Sequence, residues 1–78
     1  MDISLRGELW DNDSADVLRF WGWRDITAPM DIAGALERAG GEDVTLLVNS
    51  PGGDMAVGLE IRSMLRRYAG KTTALFQG

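Results

Sequence analysis

Three consecutive stretches of the sequence point to an α/β fold with parallel strand pairing. Val44-Thr45-Leu46-Leu47-Val48 is a near-continuous apolar run, the mark of a parallel strand covered on both faces. The segment that follows carries Val57, Ile61, Met64, Leu65 and Tyr68 as an apolar stripe at helical spacing. Thr72 to Phe76 then returns to strand-forming residues. Strand 44–49, helix 55–69 and strand 72–76 compose one βαβ unit of the usual length, expected to be right-handed. Ligands of such folds lie at the carboxyl ends of the parallel strands. Here that end is Asn49-Ser50-Pro51-Gly52-Gly53-Asp54.

The whole chain sets the bounds. Residues 1–78 make one small domain, near the size at which a single core is only marginally stabilising. With 45% hydrophobic and 26% charged residues, the composition is that of a globular protein and not of a disordered one. A net charge of -4 leaves no basic face for a nucleic-acid backbone. Cysteine is absent, so disulfides and thiolate metal sites are excluded. No apolar run reaches membrane-spanning length, and the first residues lack the charged and apolar regions of a signal peptide. The expectation is a soluble, cytoplasmic protein without membrane contact. Histidine is also absent, which excludes a complete Ser-His-Asp or Cys-His arrangement within these residues.

Before the βαβ unit, Ile3, Leu5, Gly7 and Leu9 alternate with polar neighbours and Trp10, predicting a half-buried strand over about 3–10. Asp11 to Asp16 reads as a polar loop. An EF-hand reading of its carboxylates fails because Ala15 and Asp16 stand where an acidic or amide residue and a glycine are needed. No metal is expected. Val17 to Trp23 is dense in strand formers and is predicted to pair with the first strand as a hairpin. Phe20, Trp21 and Trp23 either fill the core or a subunit contact, or present a docking surface. Thr27 is placed as the cap of a helix over about 28–39, with Pro29 in its first turn and Asp31 near its positive end. Ala28, Ile32, Ala35, Leu36 and Ala39 form its apolar face, and Gly40-Gly41 stops it. In the second helix Gly58 costs on the order of 1 kcal/mol relative to alanine, which predicts close backbone packing there.

The turn itself carries the chemistry. Pro51 fixes its own φ, while Gly52 and Gly53 can take conformations that a side chain forbids. Asp54 is suited to the N-cap of the following helix. Backbone N–H groups of two glycines before a helix N-terminus can face a ligand, either to hold an anion or to stabilise an oxyanion during acyl transfer. The competing reading is an ordinary strand-to-helix turn. A phosphate loop is excluded, because neither G-x-x-x-x-G-K-[ST] nor G-x-G-x-x-G is present.

Val48-Asn49-Ser50-Pro51-Gly52-Gly53-Asp54, with Gly58 and Ile61, resembles the (I/V)-N-S-P-G-G-(D/S)-x-x-x-G-x-x-I signature of Clp-type serine peptidases. The Asp-ending variant is most similar to the phage and prophage branch of head maturation proteases. The resemblance runs from about Leu5 to Gly78, with its specificity concentrated in this motif. It implies a Clp/crotonase-like fold of ββα units, of which this chain is an amino-terminal part with a hairpin, two helices and one βαβ unit.

The resemblance further implies peptide-bond hydrolysis without a cofactor. The N–H of Gly52 corresponds to an oxyanion-hole donor, with Gly53 supporting the turn. The backbone of Gly53, Asp54 and Met55 corresponds to the segment that pairs with an extended substrate. Its implied partners are peptide substrates, further copies in a homo-oligomeric ring, and an AAA+ unfoldase or phage capsid proteins, in a bacterial or phage-infected cytoplasm. The family's nucleophile would fall a few residues beyond Gly78, in a turn that Gly78 leads into, and its histidine and aspartate later still. The chain is therefore expected to be inactive alone, whether it is a piece of a longer protein or a shortened gene product. A non-catalytic oligomeric assembly module using Phe20, Trp21 and Trp23, and a crotonase-type acyl-CoA enzyme, are the alternative functions.

Overall fold

The computed structural model describes residues 1–76. Gly78, expected to lead into a nucleophile turn, lies outside the described residues. The elements are β1 (Asp2–Arg6), β2 (Glu8–Leu9), α1 (Asn12–Phe20), β3 (Ile26–Thr27), α2 (Pro29–Ala39), β4 (Val44–Asn49), α3 (Met55–Arg67) and β5 (Thr72–Phe76). A sheet of order β1-β4-β5 is parallel throughout, and β2 and β3 form a second parallel pair. The βαβ unit expected from the sequence is present as β4-α3-β5.

The register puts Ile3, Leu46 and Ala74 side by side, and likewise Leu5, Val48 and Phe76. Successive strand residues point to opposite faces, so these rows share the face on which α2 and α3 pack. Ile3, Leu5, Leu46 and Val44 bury there against Ile32, Ala35, Leu36 and Ala39 of α2 and Val57 and Ile61 of α3. The expected stripes of both helices are therefore core, while Met64, Leu65 and Tyr68 pack at its margin. A smaller cluster joins Ala15, Ile26 and Ala28, with Trp10 and Leu18 against it.

Three expectations are corrected. The first concerns the hairpin: β1 pairs in parallel with β4, and the stretch 12–20 is a helix. Capping overrides strand propensity here. Asp11 accepts hydrogen bonds from the Ser14 N–H at 2.8 Å and the Ser14 hydroxyl at 2.9 Å, so the acidic run starts a helix instead of forming a loop. At the other end Gly22, at φ 93°, donates to Arg19 O, and the Trp23 N–H donates to Leu18 O at 3.0 Å. Those two bonds form a Schellman termination. Ala15 and Leu18 face inward at i, i+3 spacing, while Val17, Phe20, Trp21 and Trp23 are exposed. The aromatic cluster is thus not core.

The second correction concerns Thr27. It lies in β3, and its hydroxyl donates to Arg6 O at 2.7 Å and accepts from the Arg6 N–H at 3.2 Å. Ala28 occupies the N-cap position of α2, and Asp31 reaches back to accept from its N–H at 2.8 Å. The cap is made by the acid three residues on, which leaves Thr27 free to tie β3 to β1.

The third concerns the first strand and Gly58. The stretch 3–10 is split at Gly7 into β1, which pairs with β4, and β2, which pairs with β3; the bend needs glycine, at φ 69° and with a Cβ there standing 1.9 Å from Asp25 O. A Cβ on Gly58, by contrast, would lie 3.8 Å from the Leu9 side chain, an ordinary contact. Close packing therefore does not require glycine at position 58.

Candidate functional site

Leaving β4 at Asn49, the chain turns through Ser50 and Pro51 into two glycines with positive φ, 106° at Gly52 and 141° at Gly53. No L-residue takes either value readily, so the glycine pair is a backbone requirement. Asp54 then caps α3, its Oδ1 accepting from the N–H groups of Ala56 at 2.9 Å and Val57 at 3.3 Å. The turn stands at the carboxyl end of β4, beside the end of β1, where the Gly7 N–H donates to Asn49 O.

Gly53 forms a parallel bridge with Leu9. The Leu9 N–H donates to Gly52 O, and the Asp54 N–H donates to Leu9 O, both at 3.0 Å. In a parallel bridge the groups of the central residue point the other way. The Gly53 N–H and C=O consequently face outward, and neither has a partner among the described residues. The Met55 N–H, in the first turn of α3, is also unpaired there, and its side chain is exposed. Of the expected substrate-pairing segment, Asp54 is therefore engaged with Leu9, and Gly53 offers the outward edge.

The Gly52 N–H, expected as an oxyanion donor, donates to Ser50 Oγ at 3.1 Å, and the Ser50 hydroxyl donates to Gly7 O. Ser50 is thus the clamp between the turn and the bend after β1, the turn-structural role that its place in the motif implies. Gly7 and Leu9 are the functional neighbours that sequence reading missed. The available signal was an isolated glycine inside a strand pattern, which marks a bulge or close backbone approach.

Against this turn lies an apolar groove of about 310 Å³ floored by Leu5, Leu46 and Val48, with Gly52, Gly58 and Ile61 on its α3 side and Ala74 and Phe76 on β5. Phe76 at its rim is 82% exposed. No group of three or more acidic, histidine or cysteine side chains that could hold a metal occurs among the described residues. No helix among them is long and apolar enough to cross a membrane. These features define a small mixed α/β domain with a glycine turn at the carboxyl edge of its sheet. Neither the protein-family models nor the curated proteins contain a match to the chain.

Proposed function

We propose that the chain belongs to a Clp-type serine peptidase, of the kind that matures phage heads, and supplies the oxyanion side of its site. One observation carries this reading. The Gly52-Gly53 turn leaves an exposed Gly53 N–H, unpartnered among the described residues, at the head of α3, beside an apolar groove opening at the carboxyl end of a parallel sheet. An extended peptide laid on the outward edge of Gly53 would pair by strand addition and place apolar side chains in the groove. Oxyanion stabilisation by the Gly52 N–H requires its release from Ser50 Oγ, a turn of the Pro51-Gly52 peptide plane about ψ of Pro51 and φ of Gly52, where the glycine side offers no Cβ to resist it. The nucleophile, the histidine and the aspartate of the triad have to come from outside these residues, since the chain holds no histidine.

On this reading the substrate is a peptide, the partners are further subunits in a ring with an AAA+ unfoldase or capsid proteins, and the compartment is the cytoplasm. The test is an intact-mass spectrum of the native gene product before and after a serine-reactive fluorophosphonate. A longer product with one adduct, whose peptide hydrolysis is abolished by Gly52→Val, supports the proposal. An unlabelled product near 8.5 kDa overturns it.

A second reading, a non-catalytic assembly module, is favoured by a different observation. Phe20 and Trp21 are 83% and 73% exposed on the outer side of α1 and stack edge to face with centroids 5.8 Å apart. Large aromatics left in water in this way are the usual anchors of a protein contact.

A further inference from the structure

On the side of β1 away from α3 lies a concavity of about 580 Å³, lined by Ser4 and Arg6 of β1, Arg19 of α1, Arg24 and Asp25, Ile26 and Thr27 of β3, and Asp31 of α2. Three of the chain's eight basic residues meet there, on a protein whose net charge is -4. Arg19 is already neutralised: its Nη2 stands 2.6 Å from Asp31 Oδ2, which also accepts from the Ala28 N–H. Arg6 and Arg24 have no carboxylate partner among the described residues, and Asp25, although on the same wall, pairs with neither. Three guanidinium groups against two carboxylates leave one positive charge in excess. Two planar donor forks converging on a concavity of ligand size are suited to a carboxylate, and an excess of one charge matches a monoanionic group better than a phosphate dianion. The Thr27 hydroxyl is spent on the Arg6 backbone, so orientation of a ligand falls to the two arginines and Ser4, with Ile26 as an apolar wall.

We propose that this concavity binds a carboxylate-bearing ligand through Arg6 and Arg24. The carboxylate belongs either to a free small acid or to an acidic side chain of a peptide. The site is independent of the Gly52-Gly53 turn and stands or falls separately from the peptidase reading. The test is a titration of the chain with butyrate, inorganic phosphate and an acetylated glutamate-containing peptide amide, followed by amide chemical shifts. Saturable shifts at Ser4, Arg6, Ile26 and Thr27 with butyrate are expected. Arg6→Gln and Arg24→Gln should each weaken binding about tenfold, the loss of one charge-assisted hydrogen bond. Arg66→Gln, on exposed α3, should leave it unchanged. Tighter binding of the peptide than of butyrate assigns the peptidic source, and the reverse assigns the small acid. Non-saturating shifts with both carboxylate probes, phosphate binding equal to or tighter than butyrate, or unchanged affinity in both arginine variants overturns the proposal.

Discussion

Gly53 and Leu9 are in backbone contact so close that a Cβ on Gly53 would stand 2.6 Å from Leu9 O and 2.7 Å from Leu9 N. Position 53 is therefore closed to side chains twice over, by this contact and by a φ of 141°. Gly53→Ala should destabilise the fold by at least the roughly 1–3 kcal/mol of a strained backbone residue, and should part β2 from the turn. Gly58→Ala is expected to act in the opposite direction. Its Cβ meets only an ordinary contact, and alanine in place of a mid-helix glycine should stabilise by about 0.5–1 kcal/mol. Denaturation midpoints of the two variants decide the matter. A stabilised Gly53→Ala would show that the bridge to Leu9 does not hold the turn.

Ser50 ties Gly7 to Gly52 with one hydroxyl, donating to the first and accepting from the second. Removing it in Ser50→Ala strips the Gly7 carbonyl of its donor and frees the Gly52 N–H. The expected cost is about 1–3 kcal/mol, because part-buried backbone groups lose their partner. Hydrogen exchange should accelerate at Gly52 relative to Val48, in the strand before it. Unchanged exchange at Gly52 would mean that another group protects its N–H.

Much of the second half of the chain was legible. Val44 to Val48 is apolar on both faces, and its β4 pairs with a strand on each side. Proline and paired glycines could only be a turn, and Asp54 caps as its position implies. The first half was less so, for physical reasons. Helix α1 buries only Ala15 fully, with Leu18 half-buried, so its apolar stripe is too narrow to outweigh the β-branched and aromatic residues Val17, Phe20, Trp21 and Trp23. Its true signals were at its ends, Asp11 with Ser14 and the lone Gly22. Thr27 misled because hydroxyls serve equally as caps and as ties between strands. At the site, the outward Gly53 edge depends on Leu9, a pairing across 44 residues that no local pattern carries.

Asp11 gives a pH dependence of defined sign. The Ser14 N–H, foremost, and the Ser14 hydroxyl hold its carboxyl below the ordinary value of 3.8. A depressed folded-state pKa contributes stability that is fully present above the unfolded value and is lost as pH falls through the folded one. The N-terminus of α1 should therefore fray at acid pH, beginning near pH 3.8 and completing below it. Amide shifts of Ser14 and Ala15 followed down in pH would report this fraying. In Asp11→Asn, which caps without titrating, the step should vanish. A step that persists in that variant would have to come from another acid.

The exposed aromatics of α1 put the assembly reading to a test of its own. Phe20 and Trp21 lie outside both core clusters, so serine at both positions should leave the fold intact, which near-unchanged denaturation midpoints would confirm. If this face joins one copy to another, each large side chain contributes about 1.5–3 kcal/mol through burial, and losing both should raise the dissociation constant at least a hundredfold. Light scattering of the unmodified chain should then give a mass above 8.5 kDa that falls to the monomer in Phe20→Ser with Trp21→Ser. An unmodified chain that scatters as a monomer at high concentration removes self-assembly through α1. The exposed Gly53 edge would then be the feature left to account for function.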